Sequence, residues 1–273
     1  RHRPDAAEFG KLKTTWRLRP VVGCTRQRAD IMDQREIQPE LMDDPDLPRA
    51  EHLAALAGLA RLNRFSGVDR ITYPHLRRLA LLTPKRQLNL LDVASGSGDI
   101  PISWIQRARR EGWNLQVTLT DTRSLALEEQ QRRARRAGVE VLSLQHDCLH
   151  SPLPNGFDVV SCSLFFHHLD DHQVFCLLQS MQAASDGALL LCDLERSRAN
   201  LAMVTTAARL LSRSPVVHHD AAASVRASFT RQEFKRLAEE ALARPVRVAS
   251  AFPCRFIACL DEAVVPVAVP AFA

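Results

Sequence analysis

The stretch LLDVASGSGDIP, residues 90–101, decides how this chain folds. An apolar run carrying Asp92 passes into the small residues Ala94, Ser95, Gly96, Ser97 and Gly98, and Asp99 and Pro101 suit the first turn of a helix. A strand, a glycine-rich turn and a helix in that order present backbone N–H groups at the C-terminal edge of a parallel sheet. A tight strand-to-helix turn needs small residues whether or not a ligand binds, so the flanking residues carry the sharper information. If Gly96 and Gly98 opened a dinucleotide fingerprint, its third glycine would fall on Pro101, and the Asp99 carboxylate would stand where a pyrophosphate belongs. The loop fits a ligand with an amino-acid head better, its ammonium facing acidic groups and its carboxylate facing backbone N–H groups.

Outward from this loop, buried-strand runs recur at 88–93, 115–120, 139–144, 157–163 and 187–193. Helical stretches separate most of them, at 124–137, closed by Gly138, and at 171–184. The alternation predicts an α/β, Rossmann-like, doubly wound seven-stranded sheet, mostly parallel. Strands at 246–252 and 255–260, a Pro-Cys pair between them, predict an antiparallel C-terminal hairpin. Helices are expected at 197–211 and 231–242, with an irregular insertion at 214–230. Ahead of the sheet, Leu53, Leu56, Leu59, Ala60 and Leu62 repeat at helical spacing until Ser66-Gly67, and a second helix is expected over 74–82. The expected organisation is a basic, disordered extension over 1–31 with a natural start near Met32, an N-terminal helical lid over 32–87, the sheet domain over 88–261 and a tail over 262–273.

The 273 residues are 46% hydrophobic and 25% charged, a globular composition that excludes disorder, collagen and mini-protein scaffolds. The net charge of +5 resides in residues 1–30, which hold eight Lys/Arg against three Asp/Glu, and the remainder is balanced. A neutral body argues against a nucleic-acid partner. Seven cysteines without a C-x-x-C pair suggest neither a disulfide framework nor a zinc knuckle, and fit a reducing cytoplasm. No apolar run is long enough to span a bilayer, so no stable membrane insertion is expected.

Two further carboxylates fall at strand ends. Asp121 closes the second strand, where a carboxylate accepts hydrogen bonds from a ribose diol, and Asp147 follows the third, where it can receive an exocyclic amine. Aspartate is an ordinary turn and cap residue at such places, but three at successive C-terminal strand ends mark the edge where open parallel sheets bind ligands. DVASGSGD, Asp121, HDCLHSPLP, FDVVSCSLFFHHLDD and SFTRQEFKRLAEE together resemble the ordered motifs of class I S-adenosylmethionine-dependent methyltransferases. RLNRFSG at 61–67 and ASVRASF at 223–229 are similar to segments of the ubiquinone and menaquinone biosynthesis methyltransferase-like group. The resemblance spans roughly residues 50 to 260, with Ala94 standing where many relatives carry glycine. It implies S-adenosyl-L-methionine as cofactor. Asp92 and Ala94 to Gly98 would hold the methionine end, Asp121 with Thr122 the ribose, Asp147 with Cys148 the adenine, and Ser163 with Leu164 would line the reactive side.

The methyl group of a sulfonium is already activated, so the protein must align a nucleophile and remove a proton where the nucleophile carries one. His167 and His168 follow the fourth strand, in the position that faces substrate in many relatives, and His167 is the favoured base. Asp193, His218, His219 and Arg226 are the polar candidates for substrate binding, loop solvation being the ordinary alternative. The histidines lack the HExxH or cysteine spacing of a metal site, and none is expected. The fourth strand ends without the Asn/Asp-Pro-Pro-aromatic segment of amino-N-methyltransferases acting on bases. The expected acceptor is a small hydrophobic hydroxylated aromatic, quinone or polyketide-like molecule, methylated on O or C. The alternatives are a nicotinamide-dependent oxidoreductase, against which Asp99 and Pro101 speak, and a degenerate methyltransferase-like binding protein.

Overall fold

A computed structural model describes residues 32, 34–83 and 86–261. The expected basic extension and C-terminal tail lie outside the described residues. Two helices, α1 (Arg49–Ser66) and α2 (Val68–Leu82), precede the alternating series β1 (Gln87–Val93), α3 (Asp99–Arg110), β2 (Asn114–Asp121), α4 (Ser124–Ala137), β3 (Leu142–Gln145), β4 (Phe157–Ser163), α5 (Asp171–Ala184) and β5 (Ser185–Leu194). Three helices follow, α6 (Arg198–Leu211), α7 (Pro215–Ala227) and α8 (Arg231–Leu242), then the hairpin β6 (Val248–Ala251) and β7 (Arg255–Asp261). The seven strands form one sheet in the order 3-2-1-4-5-7-6. Strands 1 to 5 pair in parallel, and β7 runs antiparallel to both β5 and β6.

The strand order reverses between β1 and β4, which opens a crevice at the carboxyl ends of these strands. The central strands are apolar on both faces because helices cover both. Leu91, Val160, Leu189 and Leu191 belong to the core on one face, with Leu177 of α5 and Phe234 of α8. Leu88, Leu90, Val159 and Leu190 belong to the other, with Leu76 of α2 and Trp104 of α3. Trp104 is fully buried, and its indole N–H reaches the Thr72 hydroxyl at 3.1 Å. Capping boxes start α5 at Asp170 with Gln173, and α8 at Thr230 with Glu233.

Three expectations are corrected. The third strand begins at Leu142 rather than at 139, because Val139 closes the preceding helix. Gly138 adopts φ +65, its N–H bonds the Arg135 carbonyl, and the Val139 N–H bonds Ala134 at 3.0 Å, so the buried valine is the apolar contact of a helix-ending motif. The second N-terminal helix begins at Val68 and contains Pro74, since the fully buried Val68 and Thr72 anchor a turn ahead of the proline. The segment read as an irregular insertion is α7. Pro215 stands in its first turn, and Val216, Val217, Ala221, Ala223 and Val225 are buried, so packing outweighs the weak helix propensity of Val, His and Ser.

Candidate active site

The glycine loop lies across the crevice. Ala94 at φ +53, Gly96 at φ +53 and Gly98 at φ +70 place three left-handed residues in five positions, which turns the chain sharply from β1 into α3. Gly98 is required twice over: a Cβ there would lie 2.9 Å from Leu119 Cδ1 and 3.2 Å from Gln130 Cγ. The Ser95 N–H donates to the Thr120 carbonyl at 2.8 Å, and Gln130 Nε2 donates to the Gly96 carbonyl at 2.9 Å. Asp99 at the helix mouth is itself engaged, accepting from Ser97 Oγ at 2.8 Å and from Asn63 Nδ2 at 3.2 Å. A carboxylate so fixed keeps its negative charge at the helix mouth.

Beneath the loop, Asp92 is buried with no basic group beside it. It accepts from Ser161 Oγ at 2.6 Å, yet burial, reinforced by the charge of Asp99, pushes its pKa up to about 7. Asp121 accepts the N–H groups of Gly96 at 2.9 Å and Arg123 at 3.0 Å. Burial raises its pKa despite these bonds. Among the described residues no basic side chain bonds either carboxylate.

Loop, strand ends and N-terminal helices enclose a cavity of about 310 Å³. Ala94, Ser95, Gly96, Ser97, Asp121, Thr122, Cys148, Ser163, Leu164, His167 and His168 line it, so most sequence-predicted site residues meet at one place. Asp92 and Gly98 stand behind this lining and support it. Burial pushes the Cys148 thiol up to about 12, which makes it an apolar wall and no nucleophile. The Ser163 hydroxyl is buried without a partner.

His167 lies on a short 3-10 turn, Phe166–His168, that follows β4. Its backbone N–H donates to Asp193 Oδ2 at 3.1 Å, and its Nδ1 meets Asp193 Oδ1 at 2.7 Å. A carboxylate only accepts, so Nδ1 carries a proton, and the ring's other nitrogen, Nε2, lies 3.7 Å from Glu40 Oε1 of the cavity lining. Asp193 thus sits behind His167 as its anchor and does not line the cavity. His168 Nδ1 meets Asp43 Oδ2 at 3.1 Å. Burial alone would lower its pKa, but the Asp43 bond and the charges of Glu40, Asp43 and Asp193 outweigh it and push the value up to about 9.

Four predicted residues fall elsewhere. Asp147 is half-exposed and turned to the Leu149 N–H at 3.0 Å and His150 at 2.9 Å, bonds that hold it below the usual carboxylate range. The adjacent His146 and Cys148 reach the cavity instead. His218 Nε2 meets the Ser212 carbonyl at 2.8 Å, and His219 pairs with Asp220 at 3.0 Å. Neither they nor Arg226 line the cavity, because the helical turn of α7 offers it Ala221 and Ser224.

Several lining residues escaped the sequence reading. Glu40 and Asp43 arrive on an N-terminal segment whose Leu41 and Met42 N–H groups bond the buried Asp220 at 2.8 and 3.0 Å. Leu56, Leu59 and Leu62 of α1 and Met203, Val204 and Ala207 of α6 form apolar walls, and their helical periodicity was the available signal. Arg255, buried at the start of β7, bonds Ser66 Oγ and the Pro253 carbonyl, each at 3.0 Å.

Residues 90–186 match the methyltransferase domain family. The ubiquinone/menaquinone biosynthesis C-methyltransferase UbiE of Rickettsia bellii (strain OSU 85-389) is 30% identical over 95 residues, 32% of this chain and 37% of the relative. The chain thus matches little more than a third of the length of this curated relative. Among solved structures, the plantazolicin methyltransferase BpumL in complex with SAH aligns with a TM-score of 0.58 at 16% identity, over 80% of this chain and 91% of that one. Magnesium protoporphyrin IX methyltransferase of Synechocystis PCC 6803 with bound SAH aligns with a TM-score of 0.50 at 15% identity, over 71% and 83% of the two chains. These structures share the fold of this chain, and the stretch matched by the family takes in the glycine loop and the ends of β1, β2, β3 and β4 that border the cavity.

Proposed function

We propose that this chain is an S-adenosyl-L-methionine-dependent methyltransferase acting on O or C of a small hydrophobic hydroxylated aromatic, quinone or polyketide-like acceptor. One observation carries the reading. A single cavity runs from the glycine loop and Asp121 to His167 backed by Asp193, between apolar walls from α1 and α6. The first end supplies backbone N–H groups and carboxylates without cations, which suit the amino-acid head and ribose of the cofactor. The second supplies an imidazole whose Nδ1 is fixed, so that Nε2 can take the proton of a hydroxyl or an enolised ring carbon. Substrate specificity comes from α1, α6 and the Glu40-bearing segment, which act together as the lid over the acceptor half.

Asp92 supports the methionine end from behind the loop, and Ser163 with Leu164 borders the reacting methyl group. Cys148 and the neighbouring His146 flank the adenine, the place expected for Asp147. The reading extends to a cytoplasmic enzyme of secondary metabolism, and the six described cysteines are free. Among the described residues no helix is long and apolar enough to cross a membrane. The balanced charge after residue 30 continues to argue against a nucleic-acid substrate.

Calorimetric titration with S-adenosylmethionine, S-adenosylhomocysteine and NAD in parallel tests the reading. Binding of the sulfonium compound and its demethylated product alone is expected. Binding of NAD alone would overturn it in favour of an oxidoreductase, and silence from all three in favour of a degenerate binding protein.

A further inference from the structure

At the acceptor end of the cavity, three side chains converge without touching. His167 Nε2 lies 3.7 Å from Glu40 Oε1, and His168 Nε2 lies 3.9 Å from Glu40 Oε2. These separations are too long for hydrogen bonds, yet one ligand atom from each of the three residues lies within 4.8 Å of the others. The imidazoles face one another, their centroids 4.4 Å apart.

Each of the three groups is also held from behind. Asp193 fixes His167 Nδ1 at 2.7 Å, Asp43 fixes His168 Nδ1 at 3.1 Å, and the Ser224 hydroxyl donates to Glu40 Oε1 at 2.5 Å. A carboxylate on the rear nitrogen of a histidine, leaving the front nitrogen to a cation, is the outer-shell arrangement of metal-ligating imidazoles. Here both histidines have it, and the third ligand has a bonded partner as well. All three line the cavity, so an ion among them would keep open positions toward it.

We propose that Glu40, His167 and His168 form a binding site for one divalent transition-metal ion. Two imidazole nitrogens and one carboxylate suit ions of the zinc and iron(II) class, and select against magnesium and calcium, which prefer all-oxygen sets. Metal–ligand bonds of about 2.0–2.2 Å would draw the three groups together by a few tenths of an ångström, within the reach of side-chain rotation. The three carboxylates Glu40, Asp43 and Asp193 around the two rings supply the negative charge such an ion needs. Loaded, the ion would take the Nε2 positions of both rings, displacing to solvent the proton that His168 carries in the empty site. It would itself lower the pKa of a coordinated hydroxyl, so both states serve removal of the same acceptor proton, which passes to solvent in the loaded one.

The site does not depend on the methyl-transfer reading, and its test uses no turnover. Chelator-treated full-length protein is titrated calorimetrically with Zn²⁺ and, separately, with Mg²⁺, and its Co²⁺ complex is examined by absorption spectroscopy. One equivalent of Zn²⁺ should bind in the micromolar range or tighter, with Mg²⁺ silent and no thiolate-to-cobalt charge-transfer band. Glu40→Gln and His168→Ala should each weaken that equivalent at least 100-fold. Asp43→Asn, at an exposed side chain, should weaken it about tenfold through the rear nitrogen of His168. Far-UV circular dichroism and a cooperative thermal transition verify that each variant folds; should Glu40→Gln or His168→Ala fail to fold, Asp43→Asn alone decides. Absence of the Zn²⁺ equivalent, a thiolate band, or undiminished Zn²⁺ affinity in the folded variants would overturn the proposal. Failure of all cofactors to bind, with Zn²⁺ binding intact, would instead refute only the methyl-transfer reading.

Discussion

Replacing Asp92 by Asn should destabilise the protein in acid and stabilise it in mild alkali. Asp92 is wholly buried, and its pKa rises from 3.8 to about 7 because burial disfavours the charge, with Asp99 adding to the effect. The sign follows from proton counting. Between these two values the folded state holds a proton that the unfolded state has lost, so the stability this group contributes is full below 3.8 and falls as pH rises to about 7. About three pH units at ~1.4 kcal/mol each amount to about 4 kcal/mol, of which about 3 kcal/mol is lost between about pH 5 and about pH 8. Asn keeps an oxygen for Ser161 Oγ but introduces amide hydrogens without partners, at a pH-independent cost of about 1–2 kcal/mol. Urea denaturation of parent and variant at about pH 5 and about pH 8 reads the effect, since all other titrating groups cancel in the difference. The stability difference should move by about 3 kcal/mol in favour of the variant across that interval. An equal difference at both pH values would refute the reasoning that Asp92 is an uncompensated buried acid. The same substitution should weaken S-adenosylhomocysteine binding, because a group that costs the empty fold stability is the one a ligand ammonium repays.

Asp121→Ala removes an acceptor from the Gly96 N–H and from the proposed ribose, and should weaken S-adenosylmethionine binding by about 1–3 kcal/mol in calorimetry; unchanged affinity would remove the role. His167→Ala should depress turnover by roughly 10²-fold or more with cofactor affinity intact, and Asp193→Asn should lower turnover while leaving that affinity unchanged, since it disturbs the anchor of the same ring. Gly98→Ala forces a side chain into φ +70 and against Leu119, and should cost about 2–4 kcal/mol in chemical denaturation. Asp220→Ala releases the Leu41 and Met42 N–H groups, and limited proteolysis should then cleave near residue 42 faster than in the parent, an effect that identical rates would disprove.

The sheet was legible because its signals are local. Strand β4 falls on the residues whose apolar run predicted it, and α4, α5 and α8 keep their expected bounds because Gly138 and the Asp170 and Thr230 capping boxes punctuate them within a few residues. Where local preference and packing disagreed, packing prevailed. The SPVVHHDAAASVRASFT stretch has no clear periodicity, but it lies against α6 and α1, and burying its valines and alanines pays for helix formation. The N-terminal segment carrying Glu40 has neither periodicity nor caps. It is held by contacts such as Leu41 with Asp220, and no short-range pattern encodes a pairing between residues so distant.

The His167–Asp193 pair stands between these cases, and it shows what sequence register can add. Both residues were identified at strand ends, yet they were given separate tasks, a base and a substrate contact. In the sheet β4 and β5 are parallel neighbours, with Ser163 paired to Cys192. Residues just past that pair leave the sheet side by side at its ligand edge, so a histidine after β4 and an aspartate ending β5 are brought together by topology. Because Asp193 is almost wholly buried and bonds both the backbone and the ring of His167, it sets the direction of the ring before any acceptor arrives. A base fixed in this way loses little freedom when it takes a proton, and the same fixation would present its free nitrogen to a cation. The choice between proton and metal therefore rests on Glu40, the partner that the sequence conceals and the fold delivers.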